Sequence, residues 1–180
     1  MAELEFKAFP KIPRLSKEIV ITEKIDGTNA QIFITEDGDI FAGSRNRWIT
    51  PENDNYGFAK WVKDNKGLLV DLGPGHHYGE WWGRGIQRRY NQDLRHFSLF
   101  NTSRWNNSNP PPECCLVVPV LYTGPFSFQA VEHCMKDLKD YGSRVADFDN
   151  PEGVVVYHTQ ANQMFKKTFE NDEGKWNETT

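Results

Sequence analysis

The sequence has no long apolar run. Its most hydrophobic stretches, Cys115-Leu116-Val117-Val118 and Val154-Val155-Val156-Tyr157, are only a few residues long. Crossing a bilayer as a helix takes about 20 apolar residues, so a membrane-spanning helix is excluded. The amino-terminal Met1-Ala2-Glu3-Leu4-Glu5 is acidic and has no apolar leader core. Basic excess is lacking too: 21 Lys and Arg face 25 Asp and Glu, a net charge of -4. That balance excludes a protein that coats nucleic acid by charge alone. Cysteine is scarce, with an adjacent pair, Cys114 and Cys115, and a lone Cys134. None has metal-ligand spacing, and an odd count without a leader predicts reduced thiols in a cytoplasmic setting. Internal repeats and low-complexity tracts are absent.

What is present suits one folded domain. The 180 residues are 38% hydrophobic and 13% aromatic, enough for a real core. Residues 1–17, interrupted by Pro10 and Pro13, read as irregular. Strands are predicted at 18–23, 28–35, 40–44, 76–82, 95–101, 115–122, 153–158 and 163–169. Glu36-Asp37-Gly38-Asp39 reads as a hairpin turn. Residues 55–66 fit a short amphipathic helix stopped by Gly67. A second helix opens at Pro125-Phe126-Ser127, lines one face with Phe128, Val131, Met135 and Leu138, and ends at Gly142. The pattern predicts an α+β domain, largely antiparallel sheets with a few helices.

Charge is unevenly distributed. Arg84, Arg88, Arg89, Arg95 and Arg104 fall in a stretch with a single acid, Asp93. One stretch carries chemistry on its face: Glu23-Lys24-Ile25-Asp26-Gly27-Thr28-Asn29, directly after the apolar Ile19-Val20-Ile21. A lysine at a strand end, beside an acid and a glycine, suits a covalent nucleotidyl-lysine. Its ordinary pKa of about 10.4 means that its surroundings decide whether it reacts. On this stretch alone, a solvated lysine in an Asp-Gly turn fits equally.

Four more stretches follow in order: Ser44-Arg45-Asn46-Arg47, Gly79-Glu80-Trp81-Trp82-Gly83, Pro151-Glu152-Gly153-Val154-Val155-Val156 and Met164-Phe165-Lys166-Lys167-Thr168. With Lys24 first, the series resembles the adenylyltransferase domain of ATP-dependent polynucleotide ligases, with the nearest likeness to nick-sealing RNA ligases. The likeness runs from residue 23 to about 168. It implies the ligase/nucleotidyltransferase adenylation fold, which is ATP-grasp-like, in a catalytic domain over residues 1–180; many ligases carry a further C-terminal domain, and in departure from them no separate C-terminal OB or other domain is expected here. A separate protein supplying such a domain is a further expectation.

The resemblance also implies roles. Lys24 would attack the α-phosphate of ATP and hold AMP, with Mg²⁺ or Mn²⁺ as the divalent ion. Glu23 would meet the adenine amino edge, and Asp26-Gly27 would form the turn beside the nucleotide. Asn29 stands where many DNA ligases carry arginine, which favours RNA ends. Arg45 would meet the ribose and the substrate end. Glu80 would bind the ribose hydroxyls, and Phe97 would stack on adenine while Phe100 faces the core. Glu152 would help hold the metal, and Lys166 would contact the α-phosphate. Lys167 joins the nucleotide set, although adjacent strand residues point apart and many family members place the second lysine at the position of Thr168. Arg47, and from the arginine run Arg88 and Arg89 in place of a further domain, would grip the backbone phosphates of a nucleic acid with 5′-phosphate and 3′-OH ends. A minimal DNA ligase, a ligase of mixed RNA–DNA nicks, a self-adenylating enzyme with another acceptor, and an inactive nucleic-acid-binding module are the alternatives.

Overall fold

A computed structural model describes residues 2–173. Ten strands form two sheets. One sheet holds β1 (Glu18–Lys24), β8 (Val120–Pro125), β9 (Gly153–His158) and β10 (Gln163–Thr168), in the order β10-β9-β1-β8. The other holds β2 (Thr28–Ile34), β3 (Ile40–Gly43), β4 (Trp48–Ile49), β5 (Gly75–Gly83), β6 (Arg95–Leu99) and β7 (Leu116–Val117), in the order β4-β3-β2-β5-β6-β7. All pairings are antiparallel except β6 with β7. The helices are α1 (Phe58–Asp64), α2 (Lys66–Leu69) and α3 (Phe128–Tyr141), with one 3₁₀ turn at Val70–Leu72.

Strand alternation explains how each sheet is covered. In β1, Ile19, Ile21 and Glu23 are buried while Val20, Thr22 and Lys24 are half-exposed. The buried side packs with Val154 and Val156 against Cys134, Met135 and Leu138 of α3. The six-stranded sheet buries Ala30, Ile32, Ile34, Trp81, Phe97 and Leu99 against α1 and α2. A third cluster, Ile25, Trp82, Tyr90 and Val118, with Val145 and Phe148 packed on it, forms the seam between the two halves.

The hairpin 36–39, the Ser127 cap and the Gly142 stop of α3 stand as the sequence predicts. Three local readings change. Gly67 does not end the helical region, because the chain turns at Asn65 and resumes as α2. The run 115–122 splits at Pro119, which has no N–H to donate to a ladder, and β7 and β8 join different sheets. Phe128 lies in the first turn of α3, beyond its packed face, and is exposed. Trp81 and Trp82 point to opposite sides of β5 and both are buried, one in the sheet core and one in the seam.

Candidate active site

The Lys24 motif is the crossing point of the fold. Lys24 is the last residue of β1 in the four-stranded sheet, and Thr28 is the first of β2 in the six-stranded sheet. Ile25-Asp26-Gly27 hands the chain across, with Ile25 anchored in the seam. Gly27 is required by close approach: a Cβ there would lie 2.3 Å from the Trp81 carbonyl and 2.8 Å from Trp82 Cβ. Such space is forced by the neighbouring strand, whether or not a nucleotide is bound.

Each group in the motif has a partner. Lys24 Nζ donates to Glu152 Oε1 at 2.8 Å. Glu152 Oε2 is buried and unpartnered among the described residues. The Asp26 backbone N–H donates to the Tyr90 hydroxyl at 2.7 Å, and Asp26 Oδ2 accepts from Arg88 Nη1 at 2.9 Å. The Gly27 N–H donates to Glu80 Oε1 at 3.0 Å. With its amide oriented to satisfy both neighbours, Asn29 donates to Glu80 Oε2 at 3.1 Å and accepts from Arg45 Nη2 at 2.8 Å. Lys24, Asp26, Gly27, Asn29, Arg45, Glu80 and Glu152 therefore form one connected site where the two sheets meet.

Burial pushes the Glu80 carboxyl from its ordinary 4.5 up to about 7. The Gly27 N–H and the Lys24 charge pull it down, and Glu152 and Asp26 add to the upward push. Burial also raises the Tyr90 phenol, a neutral donor and acceptor in the seam.

Register places Lys166. On β9 and β10, the rows Lys24–Gly153–Thr168 and Thr22–Val155–Lys166 share the half-exposed face of the sheet. Lys166 therefore stands on the Lys24 side. Gly153, opposite Lys24, has φ +150, and a Cβ there would meet the Lys167 carbonyl at 2.1 Å.

Six sequence readings are corrected. Glu23 does not share the face of Lys24. It is 1% exposed, on the α3 side, where its carboxylate accepts from Ser143 Oγ and the Arg144 N–H, both at 2.6 Å. Burial raises its pKa, against those two hydrogen bonds. Phe97 is fully buried against Phe58 and Trp61, so no base can stack on it. Phe100 takes the other face: its N–H donates to the Tyr78 carbonyl at 3.0 Å, continuing the β5–β6 ladder, and its ring is partly exposed. Lys167 points to the α3 side and pairs with Glu132 and Asp172, because neighbouring strand residues face apart. Arg88 is tied to Asp26 inside the site, with Glu170 as a second partner at 3.6 Å, so it is not a free phosphate contact. Arg47 spends two guanidinium donors on the Asn53 and Asp54 carbonyls, so part of its role is to hold that loop.

Arg89 is exposed, as expected for a phosphate contact, and lies near Asp93. It is not brought into the Lys24 cluster. Sequence reasoning missed Tyr90, Ser143 and Arg144. Tyr90 sits in a coiled loop where Arg89, Tyr90 and Asn91 all have positive φ. An aromatic residue set between two polar runs was its only local signal.

Among the described residues no set of three His, Cys, Asp or Glu side chains could cage a metal. A divalent ion of the Mg²⁺ type is commonly held by one or two carboxylates together with phosphate oxygens and water. The buried, unpartnered Oε2 of Glu152 fits that mode. No helix among the described residues is long and apolar enough to cross a membrane, and Cys114, Cys115 and Cys134 are free thiols.

The α+β fold is similar to that of solved RNA ligase structures. Naegleria gruberi RNA ligase, in a variant bound to AMP and Mn, matches with a TM-score of 0.61 and 19% identity, over 86% of this chain and 50% of that one. A second variant, with ATP and Mn, matches with a TM-score of 0.61 and 19% identity over 85% and 50%. The same ligase with PPi gives 0.56 and 19% over 85% and 50%. The chain thus spans about half the length of the structures it matches. Comparison with curated proteins gives no match. The RNA ligase family model matches residues 17–170. The chain belongs to the RNA ligase family.

Proposed function

We propose that this protein is an ATP-dependent RNA ligase that joins 3′-OH and 5′-phosphate ends, nicked duplexes included, through a covalent Lys24–AMP. The observation that carries this reading is the Lys24–Glu152 pair at 2.8 Å, set against the Glu80–Asn29–Arg45 network across the junction of the sheets.

Glu152 holds the Lys24 ammonium in place and is the acceptor in contact with the proton it must shed. The freed Nζ attacks the α-phosphorus of ATP; an N–P bond forms and the P–O bond to pyrophosphate breaks. Lys166, on the same sheet face, offers its charge to the phosphate oxygens. Each Glu80 oxygen already accepts one bond and retains a second lone pair for a ribose hydroxyl. Phe100 replaces Phe97 as the ring open to adenine. In the second transfer a 5′-phosphate oxygen attacks the same phosphorus, releasing Lys24 and forming a P–O–P linkage. In the third, the 3′-hydroxyl attacks the 5′-phosphorus and AMP leaves. A Mg²⁺ or Mn²⁺ ion held by Glu152 would neutralise charge on the phosphates.

RNA as acceptor is supported by the family match and by Asn29. The test is incubation with α-labelled ATP and a divalent metal. A labelled band retained on a denaturing gel and lost in Lys24→Ala supports the reading, and no label with any divalent metal refutes it. Nicked duplexes with RNA or DNA at the 3′-OH side then rank the acceptors. Fastest sealing of all-DNA nicks would overturn the choice of RNA.

A further inference from the structure

The face of the six-stranded sheet that carries Asn29 and Glu80 does not end at the site. Register lays out its rows. Asn29 pairs with Glu80; next come Gln31, Tyr78, Gly43 and Trp48; then Phe33, Phe41 and His76. All point to the same side, because residues two apart on a strand share a face.

The result is a contiguous aromatic surface. Phe33 lies 6.5 Å from Phe41, 6.3 Å from Trp48 and 4.5 Å from His76, ring centre to ring centre, and His76 lies 5.9 Å from Tyr78. Phe41, Trp48 and Tyr78 are 51%, 55% and 54% exposed. Single exposed aromatics are ordinary; a cluster of five on one sheet face marks a binding surface.

We propose that this platform binds unpaired nucleotides of the RNA strand whose end lies in the site, by base stacking. The inference rests on the ligase reading above. Three observations choose nucleic acid as the occupant. The platform is continuous with the Asn29–Glu80 row, about 13 Å from it along β2 at ~3.3 Å per residue. Arg45 and Arg47 lie on the connection between β3 and β4, at the end nearer the site. Glu36, Asp37 and Asp39 close the far end at the hairpin tip, so a phosphate chain is favoured on one side and repelled on the other. Flat, partly exposed rings accept any base, which suits an enzyme that must not select sequence.

The test measures binding of a short single-stranded RNA to the intact chain by anisotropy, with tryptophan emission read in parallel. Trp48→Ala and Phe41→Ala should each weaken binding about tenfold, while labelling of Lys24 by ATP stays unchanged. Trp48→Phe should keep most of the affinity yet lose part of the RNA-induced quenching, a signature of stacking that a structural role would not give. Equal RNA affinity in wild type and both alanine variants would overturn the proposal. So would absence of RNA binding by the wild type, or a self-associated wild type that becomes monomeric in Trp48→Ala, which would make a second copy the occupant. Failure of Lys24 to label in wild type would count against the ligase reading, while the binding arm would still decide the platform.

Discussion

Removing the Glu23 side chain separates two roles that a residue beside the nucleophile could have. The carboxylate is buried behind β1 and ties the 143–144 turn to the sheet through two bonds of 2.6 Å. Hydrogen bonds to a charged group are worth roughly 1.5–3 kcal/mol each, so the pair contributes about 3–6 kcal/mol in gross terms. Burial works against this, and its sign is visible in the raised pKa of the acid. Glu23→Ala should therefore cost a net of about 2–4 kcal/mol, since the two donors are left facing a cavity. For a domain of this size, 1 kcal/mol moves Tm by about 2–4 °C, giving a loss of roughly 4–16 °C. Circular dichroism melting at neutral pH reads it. Glu23→Gln, which keeps one acceptor, should lose less. An unchanged Tm together with a weakened preference for ATP over GTP would refute the reasoning. Glu23 would then serve adenine and not the turn.

Other outcomes follow from the site. Glu80 is raised above its unfolded value, so its stabilising effect is full below about pH 4.5 and fades as pH rises through about 7. The rise from 4.5 to about 7 corresponds to roughly 3 kcal/mol; denaturant titration of Glu80→Gln should gain on wild type by up to about that amount between pH 5 and pH 8. Gly27→Ala should destabilise by about 1–3 kcal/mol through overpacking against Trp81 and Trp82, seen as a lower urea midpoint. Arg88→Met removes the partner of Asp26 and should slow labelling of Lys24 about tenfold, an effect of about 1.4 kcal/mol, with a smaller change in RNA affinity than Arg89→Ala. Equal RNA losses in the two arginine variants would return Arg88 to the phosphate contacts.

Much of the frame was legible because it is local. The alternation in 18–24 and 28–34, the Asp-Gly hairpin and the capped helix after Ser127 follow from side-chain period and turn chemistry. The ordered stretches around Lys24, Arg45, Glu80, Glu152 and Lys166 pointed to the family. Parity alone warned that Lys167 and Lys166 face apart. Parity also separated Phe97 from Phe100, but not which of them is buried. That depends on which side α1 and α2 cover, and nothing within 95–101 records it.

By itself, then, the sequence determined most of the elements and the family, and singled out Lys24. Tertiary structure alone decided the partners: Arg88 to Asp26, Tyr90 to the Asp26 N–H, Ser143 and Arg144 to Glu23, and an exposed aromatic face beyond Glu80. Periodicity fixes which residues share a side of a strand. Which side becomes core, which becomes site, and which distant loop supplies a partner depend on how the two sheets meet, and that follows from burial of the whole chain.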